Sequence, residues 1–278
     1  MSTILKLEDV SFSFPNKSPS GKNDWLPILN NVSFSINQGQ IIGLIGKSGC
    51  GKTTMGKLLV NFFSLNNERV QTSGKIYFYE GNEEFEITSK KYINQYRIQP
   101  IQMIFQDPKI SLNIKMKTKN QLKEAILTKN KLKGHDLKNK IFAVAKQFKL
   151  DEKLNSTPGS LSGGERRRLG LAKIIATEPK IIIADEPVAS LDVSIKYEIM
   201  KIILSLKNKG QTIVIISHDI ALIRKEVDVI FVMSDGEIVE QWLPVQDPNH
   251  RATKQLLKDS EEVNAPLKNF VTINKVLN

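Results

Sequence analysis

Cysteine is almost missing from this sequence, and long apolar runs are missing altogether. The single cysteine among 278 residues, Cys50, cannot form a disulfide within the chain, which fits the reducing conditions of a cytoplasm. No stretch approaches the roughly 18 to 20 consecutive apolar residues that a membrane-spanning helix needs. The first residues also lack the basic segment and apolar core of a signal peptide. We therefore expect a chain that is neither membrane-spanning nor secreted.

Acidic residues are in the minority as well. The 40 lysines and arginines outnumber the 29 aspartates and glutamates, which gives a formal net charge of +11. Such a charge suits binding to nucleic acid, proximity to anionic lipid headgroups, or solubility alone. The lysines are spread along the chain and are densest between Lys115 and Lys149. This spread favours solvated helix faces, with a surface close to anionic headgroups as the second interpretation.

What the sequence does have is a set of apolar segments with the periods of regular structure. Strands are predicted where apolar residues alternate or run together, at residues 4–14, 32–36, 41–45, 75–79, 181–184 and 212–216. The last two are continuous runs, as expected for central parallel strands that are covered on both faces. Helical spacing is found at residues 53–63 and 122–148. The predicted fold class is therefore α/β, with the second helical stretch as an inserted subdomain.

A glycine-rich loop occupies residues 46–53, between a predicted strand and a predicted helix. A polyphosphate needs several backbone N–H groups that converge on its oxygens; glycine lets the backbone come that close, and a helix N-terminus adds partial positive charge. Lys52 would reach the β- and γ-phosphates, Thr53 would bind Mg²⁺ through its hydroxyl, and Thr54 would help to hold the α-phosphate. The predicted nucleotide-binding residues are Gly46, Lys47, Ser48, Gly49, Cys50, Gly51, Lys52, Thr53 and Thr54.

Polar residues follow two further predicted strands. Asp185 and Glu186 come at the end of one of them, and ligands of α/β sheets bind at the carboxyl ends of strands. We predict that Asp185 holds Mg²⁺, directly or through water, and that Glu186 polarises the attacking water; the alternative is that both acids only cap a helix after Pro187. His218 follows the other strand and would hydrogen-bond the γ-phosphate as a third catalytic-site residue, unless it is structural.

The segment Leu161-Ser-Gly-Gly-Glu165 adds a family to these features. With the glycine-rich loop before it and the acidic pair after it, the chain resembles the ATP-binding-cassette (ABC) ATPases over about residues 4–240. The resemblance implies ATP as the nucleotide and the P-loop NTPase fold of these ATPases, a RecA-like core with an antiparallel β subdomain and a helical subdomain. In the family, one segment contacts the ATP bound to the opposite subunit of a head-to-tail dimer, and its residues here are Ser162, Gly163, Gly164 and Glu165.

The same resemblance assigns three further positions. Phe14 is similar to the aromatic residue that stacks on adenine, unless it belongs only to the core. Gln106 is similar to the catalytic-site glutamine that senses Mg²⁺ and the membrane partner, and Asp192 lies in the loop that exchanges contacts across the dimer. The expected domain boundaries are 1–245 for the ATPase domain, about 108–172 for its helical subdomain and 246–278 for a C-terminal extension.

Three further segments of the sequence point to one branch of the family. Residues 101–108, 111–113 and 185–194 resemble the second of two unlike ATPases in the peptide and nickel importers. This implies that ATP hydrolysis powers the uptake of peptides, nickel or metal chelates through separate permease subunits. The implied partners are a second, unlike ABC ATPase, two membrane permeases and, indirectly, an extracytoplasmic substrate-binding protein. The implied location is peripheral, on the cytoplasmic face of the cell membrane.

Two positions depart from that branch. Ile114-Lys115 stand where a Pro-Arg pair is usual, and the sequence lacks the usual Pro-Tyr after His250. Some members of the branch carry an iron–sulfur cluster on cysteines of the tail, but this sequence has no cysteine after Cys50. An iron–sulfur cluster is therefore not expected.

Two alternatives belong to other classes. A soluble ABC ATPase that acts on nucleic acid or ribosomes would suit the basic charge, but such relatives fuse two cassettes or insert long coiled coils. The sequence has neither a second phosphate loop nor a long heptad run, so no nucleic-acid partner is expected. A heterodimer subunit with a silent site is the other alternative, and the presence of Lys52, Asp185, Glu186 and His218 argues against it.

Overall fold

The computed structural model describes residues 2–17, 23–65, 69–95, 100–105, 112–189 and 193–260. The chain divides into two compact units. The first contains the residues up to Glu86 and those from Ile215 onwards, and the second contains Ile87–Val214. Within the described residues, no helix combines the length and the apolar character that a membrane span requires.

The chain contains both strands and helices, and they alternate singly over residues 181–234. The strands are β1 (Thr3–Lys17), β2 (Asn23–Asn37), β3 (Ile41–Gly46), β4 (Gln71–Glu80), β5 (Glu83–Glu86), β6 (Ile101–Ile104), β7 (Ile181–Asp185), β8 (Thr212–Ser217), β9 (Val229–Ser234) and β10 (Glu237–Trp242). The helices are α1 (Lys52–Leu59), α2 (Phe62–Leu65), α3 (Lys90–Gln95), α4 (Thr118–Leu127), α5 (Gly134–Gln147), α6 (Gly163–Ala176), α7 (Val193–Ser205), α8 (Ile220–Ile223) and α9 (residues 251–260). All six predicted strands are confirmed within these bounds.

An antiparallel sheet in the order β2-β1-β4-β5 forms one layer of the first unit. In the register between β1 and β4, Leu5 lies opposite Phe78 and Leu7 opposite Ile76. These four side chains are buried, because alternate residues of a strand point to the same face. The apolar alternation in the sequence therefore marks the core face of this sheet.

A second group of strands in the first unit leads to the phosphate loop. Strand β3 pairs in parallel with β9, with Ile42 opposite Val229 and Gly46 opposite Met233, and β9 pairs antiparallel with β10. All residues of β3 are buried, as expected for a strand covered on both faces. The chain leaves β3 at Gly46 and enters α1 at Lys52, so residues 47–51 form a short strand-to-helix loop.

The helix predicted at residues 53–63 is interrupted. Helix α1 ends at Leu59, and α2 begins at Phe62. Between them, Asn61 has a φ of +55° and is buried. Asparagine adopts this left-handed conformation more readily than most residues, so the break lies at the residue best suited to it. The apolar spacing alone did not reveal this turn.

Two parallel strands and several helices make up the second unit. Strand β6 pairs with β7 in a register that places Ile101 opposite Ile181 and Ile104 opposite Ala184. All five residues of β7 are buried, which confirms the prediction from its continuous apolar run. The buried strand carries its last residue, Asp185, to the carboxyl end of the pair.

The predicted helical insertion consists of two helices. Residues 122–148 contain most of α4 and all of α5, separated by a non-helical segment at residues 128–133. Most of the apolar residues that suggested the helices are buried, among them Leu122, Ile126, Ala145 and Phe148, whereas Leu127 is exposed. Thr118 fixes the start of α4, because its hydroxyl donates to the carbonyl of Ser156 at 3.0 Å.

Hydrogen bonds to one carboxylate of β10 hold the start of α9 in place. Glu240 accepts a hydrogen bond from the backbone N–H of Asn249 at 2.7 Å and another from the hydroxyl of Thr253. Burial alone would raise the pKa of the Glu240 carboxyl, but hydrogen bonds from Thr253, Asn249 and His250 lower this pKa below its ordinary value. Residues 249–253 are therefore tied to the first unit, while the predicted boundary at 245–246 stays a prediction.

Candidate functional site

Two positions of the phosphate loop need glycine, because neighbouring atoms lie too close to leave room for a Cβ atom. A Cβ atom on Gly46 would lie 2.2 Å from the carbonyl oxygen of Met233 and 2.7 Å from the Sγ of Cys50. Gly51 has a φ of +105°, and a Cβ atom there would lie 2.8 Å from Cδ2 of Leu29. Such a positive φ is open to glycine and strained for other residues. The turn from strand to helix therefore needs glycine at both of these positions.

Lys52 crosses the inside of the loop. Its side chain is buried, and Nζ donates to the carbonyls of Gly46 at 2.7 Å and Lys47 at 2.8 Å. Helix α1 begins behind Gly51, which has no side chain to cover the first N–H groups of the helix. These groups carry the positive end of the helix dipole, which attracts anions. The loop thus combines an ammonium group with an uncapped helix start, as a phosphate site requires.

The outer side of the loop borders a cavity of about 850 Å³. Its lining includes Lys47 and Ser48 from the loop, and Arg251 and Gln255 from α9. Lysine and arginine in one lining favour anionic ligands. Residues of the predicted C-terminal extension therefore lie beside the phosphate loop, a placement that no motif in the sequence indicated. Within the loop and α1, Lys47, Ser48, Gly49 and Thr53 are exposed, and Cys50 and Thr54 are half-buried.

Phe14 belongs to an aromatic cluster in the first unit. Its half-buried ring meets Phe12 edge to face, with 4.9 Å between centroids, and meets Phe63 in the same way at 5.6 Å. Such pairs add to the free energy gained from burial alone. The ring is therefore held by the core, and its stacking on adenine stays a prediction.

Strand β7 presents two acidic residues in succession. The Asp185 side chain is buried with a relative exposure of 2%, whereas Glu186 is half-buried and has a φ of +43°. A left-handed φ is uncommon for residues with a Cβ atom, and such strained turns cluster at functional sites. Residues 187–189 form a turn and not the start of a helix. The described residues therefore give no support to the alternative that these acids only cap a helix after Pro187.

The segment at residues 162–165 is the start of α6, closed by a capping box. The Ser162 hydroxyl accepts from the backbone N–H of Glu165 at 3.2 Å, and the Glu165 carboxylate accepts from the backbone N–H of Ser162 at 2.7 Å. Ser162 and Gly163 are exposed, but Gly164 is buried, and a Cβ atom there would lie 3.0 Å from Cδ1 of Ile195. The Ser-x-x-Glu spacing in the sequence is typical of this box.

The charge of Glu165 in the capping box predicts that the stability of the fold depends on pH. The backbone hydrogen bond from Ser162 lowers the pKa of Glu165, and the ammonium of Lys153, 3.6 Å away, lowers it further. A lowered pKa stabilises the fold above the unfolded-state value of about 4.3, and this stabilisation is lost as the pH falls through the folded-state pKa. Glutamine keeps the box without a charge, so Glu165→Gln should remove this part of the acid sensitivity.

Chemical unfolding of both proteins between pH 7 and pH 3 checks this prediction. The free energy of unfolding of the parent should exceed that of Glu165→Gln by up to about 1 kcal/mol near neutral pH, the usual contribution of a negative charge near a helix N-terminus, and the difference should shrink in acid. A constant difference across this range would contradict it.

The structure gives less information on three of the predicted residues. His218 is exposed and directly follows β8, as the sequence predicted. Gln106 and Asp192 lie outside the described residues, so their roles stay predictions. The structure thus gathers residues 46–54 at one loop of the first unit, and Asp185 and Glu186 at one strand end of the second.

Known proteins are similar to this chain, two of them in sequence and one in fold. The oligopeptide transport ATP-binding protein OppF of Streptococcus mutans is 35% identical over 243 residues, which cover 85% of this chain and 74% of that protein. The dipeptide transport ATP-binding protein DppF of Escherichia coli is 32% identical over 267 residues, which cover 94% and 77% of the two chains. Among solved structures, an ATP-binding cassette in a dimeric post-hydrolysis state with ADP and Pi has a TM-score of 0.72 at 24% identity, covering 87% of this chain and 99% of that one.

These similarities settle the fold class and the family. The likeness to the solved cassette confirms the predicted P-loop NTPase fold of ABC ATPases. The model of the ABC transporter family matches residues 29–189, which is more than half of the chain. This match contains the phosphate loop, the segment at residues 162–165 and the acidic end of β7. The chain therefore belongs to the ABC transporter family and carries its ATP-binding and ATP-hydrolysing domain.

Proposed function

We propose that this chain is the ATP-hydrolysing subunit of an importer for oligopeptides or dipeptides. The observation that carries the proposal is its similarity, over 85% of its length, to a protein named for oligopeptide transport. The second relative is named for dipeptide transport. Neither name mentions nickel or metal chelates, so peptides are the proposed cargo.

The proposed nucleotide site begins with the phosphate loop. The ammonium of Lys52 donates to two loop carbonyls, and it would turn to the β- and γ-phosphates when ATP binds. The N–H groups at the start of α1 would hold the phosphate oxygens. Phe14 would stack on adenine, and His218 would hydrogen-bond the γ-phosphate. Glu186 would polarise the attacking water and accept its proton, for which a positioned carboxylate is suited.

The donor set at this proposed site fits Mg²⁺. A threonine hydroxyl, a carboxylate and a glutamine carbonyl are hard oxygen donors of the kind this ion prefers. Thr53 is exposed in the first turn of α1, and Asp185 is a buried carboxylate at a strand end. With Gln106 these residues would hold the ion, which when bound neutralises negative charge on the phosphates.

The second half of each site is proposed to come from a partner. Ser162, Gly163 and Gly164 would contact the γ-phosphate of ATP bound to the opposite subunit, a second and unlike ABC ATPase. Ser162 and Gly163 are exposed at the start of α6, as a segment that meets another chain must be. ATP would thus join two subunits head to tail, with Glu165 and Asp192 at the interface, and hydrolysis would release them.

Ser162→Arg should impair turnover at the partner's site while this chain's own ATP binding remains intact. The long side chain would block the proposed contact, but it would leave the phosphate loop untouched. Ser162→Ala separates this effect from stability, because it removes the same N-cap, worth about 1 kcal/mol, without adding bulk. ATP affinity of the isolated variants and turnover of the assembled complex are the measurements. Loss of ATP binding by isolated Ser162→Arg but not by Ser162→Ala would contradict the two-subunit site.

The remaining partners are proposed as two membrane permeases and, indirectly, an extracytoplasmic binding protein. The chain would then lie at the cytoplasmic face of the membrane. Purification of the full-length chain from detergent-solubilised membranes tests this proposal. Two hydrophobic permease subunits should accompany it in stoichiometric amounts. Salt-sensitive binding to RNA without a membrane partner would overturn the importer and favour the nucleic-acid alternative.

A further inference from the structure

Arg167 is a buried cation that no motif singled out. It lies in α6, and its relative exposure is 5%. Its guanidinium donates three hydrogen bonds to backbone carbonyls: Nη1 to Phe105 at 2.5 Å, Nη2 to Glu186 at 3.1 Å and Nε to Pro187 at 2.9 Å. One side chain therefore joins α6 to the end of β7 and to Phe105, the residue that follows β6.

The hydrogen bond to Glu186 supports a strained backbone. Glu186 has a φ of +43°, a left-handed conformation that is unfavourable for a residue with a Cβ atom. Its carbonyl accepts from Arg167 and also from the backbone N–H of Ala189 at 3.2 Å. Strained residues persist only where surrounding contacts hold them. Arg167 supplies one of these contacts directly at the residue that carries the proposed general base.

Arginine is the side chain suited to this position. The guanidinium is planar, stays protonated and presents five N–H donors in fixed directions. A lysine ammonium has three donors around a single nitrogen and does not match three carbonyls that lie on two separate segments, Phe105 on one and Glu186-Pro187 on the other. A buried charge is costly without polar partners, and here three carbonyls supply them. The site is thus matched to the shape of arginine as well as to its charge.

We propose that Arg167 is a positioning residue that fixes the backbone of Glu186, and thereby its carboxylate, to helix α6. This inference rests on the proposed role of Glu186 as the general base. The same helix begins with Ser162, Gly163 and Gly164, which are proposed to meet the partner's ATP. A displacement of α6 is therefore transmitted to Glu186 and to Phe105. Each subunit's own catalytic carboxylate is in this way linked to the state of the opposite nucleotide site.

Arg167→Lys and Arg167→Gln, in the complex purified with the full-length chain, test this proposal. Misplacement of a catalytic group by about 1 Å can cost roughly 100-fold in rate, so kcat should fall about 10- to 100-fold. The KM for ATP should stay within about twofold, because the phosphate loop is not altered. Arg166→Lys is the matched control on the neighbouring residue of α6, and it should leave both values unchanged. Loss of ATP binding or of the folded state in both Arg167 variants would indicate a purely structural role and overturn the proposal.

A double variant, Arg167→Lys with Glu186→Gln, tests the positioning role of Arg167 separately from the proposed function of the chain. If Arg167 acts through Glu186, adding Arg167→Lys to Glu186→Gln should lower kcat by less than about twofold further. Full multiplication of the two effects, or an unchanged kcat in the single Arg167 variants, would overturn the positioning role while the importer proposal stands. An unchanged kcat in Glu186→Gln alone would instead overturn the assignment of the base.

Discussion

Glu186→Gln should retain ATP and lower kcat for its hydrolysis by roughly 100- to 10,000-fold, the usual contribution of a positioned general base. Glutamine has nearly the shape of glutamate but cannot accept the proton of the attacking water. The phosphate loop, with Lys52 on its inner side, is not altered by this change. Binding should therefore survive while the chemical step fails.

A dimer held together by ATP has a second consequence for this variant. Because hydrolysis would release the subunits, Glu186→Gln should accumulate the closed, ATP-containing dimer. Size-exclusion chromatography with nucleotide analysis measures this species, and single-turnover kinetics measures the chemical step. Glu152→Gln, an exposed residue of the same unit, controls for the loss of one charge. Hydrolysis at the parent rate by Glu186→Gln in the assembled complex would show that the base is another group.

Lys52→Ala should weaken ATP binding about 10- to 100-fold, since hydrogen bonds to charged groups contribute about 1.5 to 3 kcal/mol. The change removes the buried ammonium that faces the loop and leaves the carbonyls of Gly46 and Lys47 without this donor. The loop would lose a positive charge and an internal support at the same time. The affinity for nucleotide should therefore decrease more than the stability of the fold.

Titration of the isolated chain with a fluorescent ATP analogue measures this loss. Lys57→Ala is the matched control, because Lys57 lies in the last turn of the same helix and its ammonium lies 5.4 Å from the centre of the Phe62 ring. The control removes one positive charge from α1 but none from the loop. Equal affinity in the parent and Lys52→Ala would contradict the phosphate-site assignment.

The elements that were predictable from sequence are those with a local physical cause. Continuous apolar runs identify β3 and β7, because a strand covered on both faces is apolar along most of its length. Gly46 and Gly51 were predictable because a strand-to-helix turn around a phosphate demands backbone conformations that suit glycine. Periodicity and turn chemistry thus placed the phosphate loop and the acidic strand end.

What sequence could not reveal depends on contacts between distant residues. The break at Asn61 interrupts an apolar period that continues through it. In the sequence, Arg167 is one of three consecutive arginines, and nothing distinguishes it from its neighbours. Only the folded structure brings the carbonyls of Phe105 and Glu186 to its guanidinium. Similarly, no local signal indicates that α9 is fastened to Glu240 or that Arg251 borders the phosphate loop.

This chain is proposed to hydrolyse ATP to drive the uptake of peptides. The most direct test of this role is the ATPase rate of the chain in proteoliposomes with its co-purified partner ATPase, its permeases and the peptide-binding protein. We predict that oligopeptides or dipeptides raise this rate in the parent complex, and that Glu186→Gln abolishes the stimulated rate. ATP hydrolysis that no peptide stimulates, while nickel or a metal chelate does, would contradict the account.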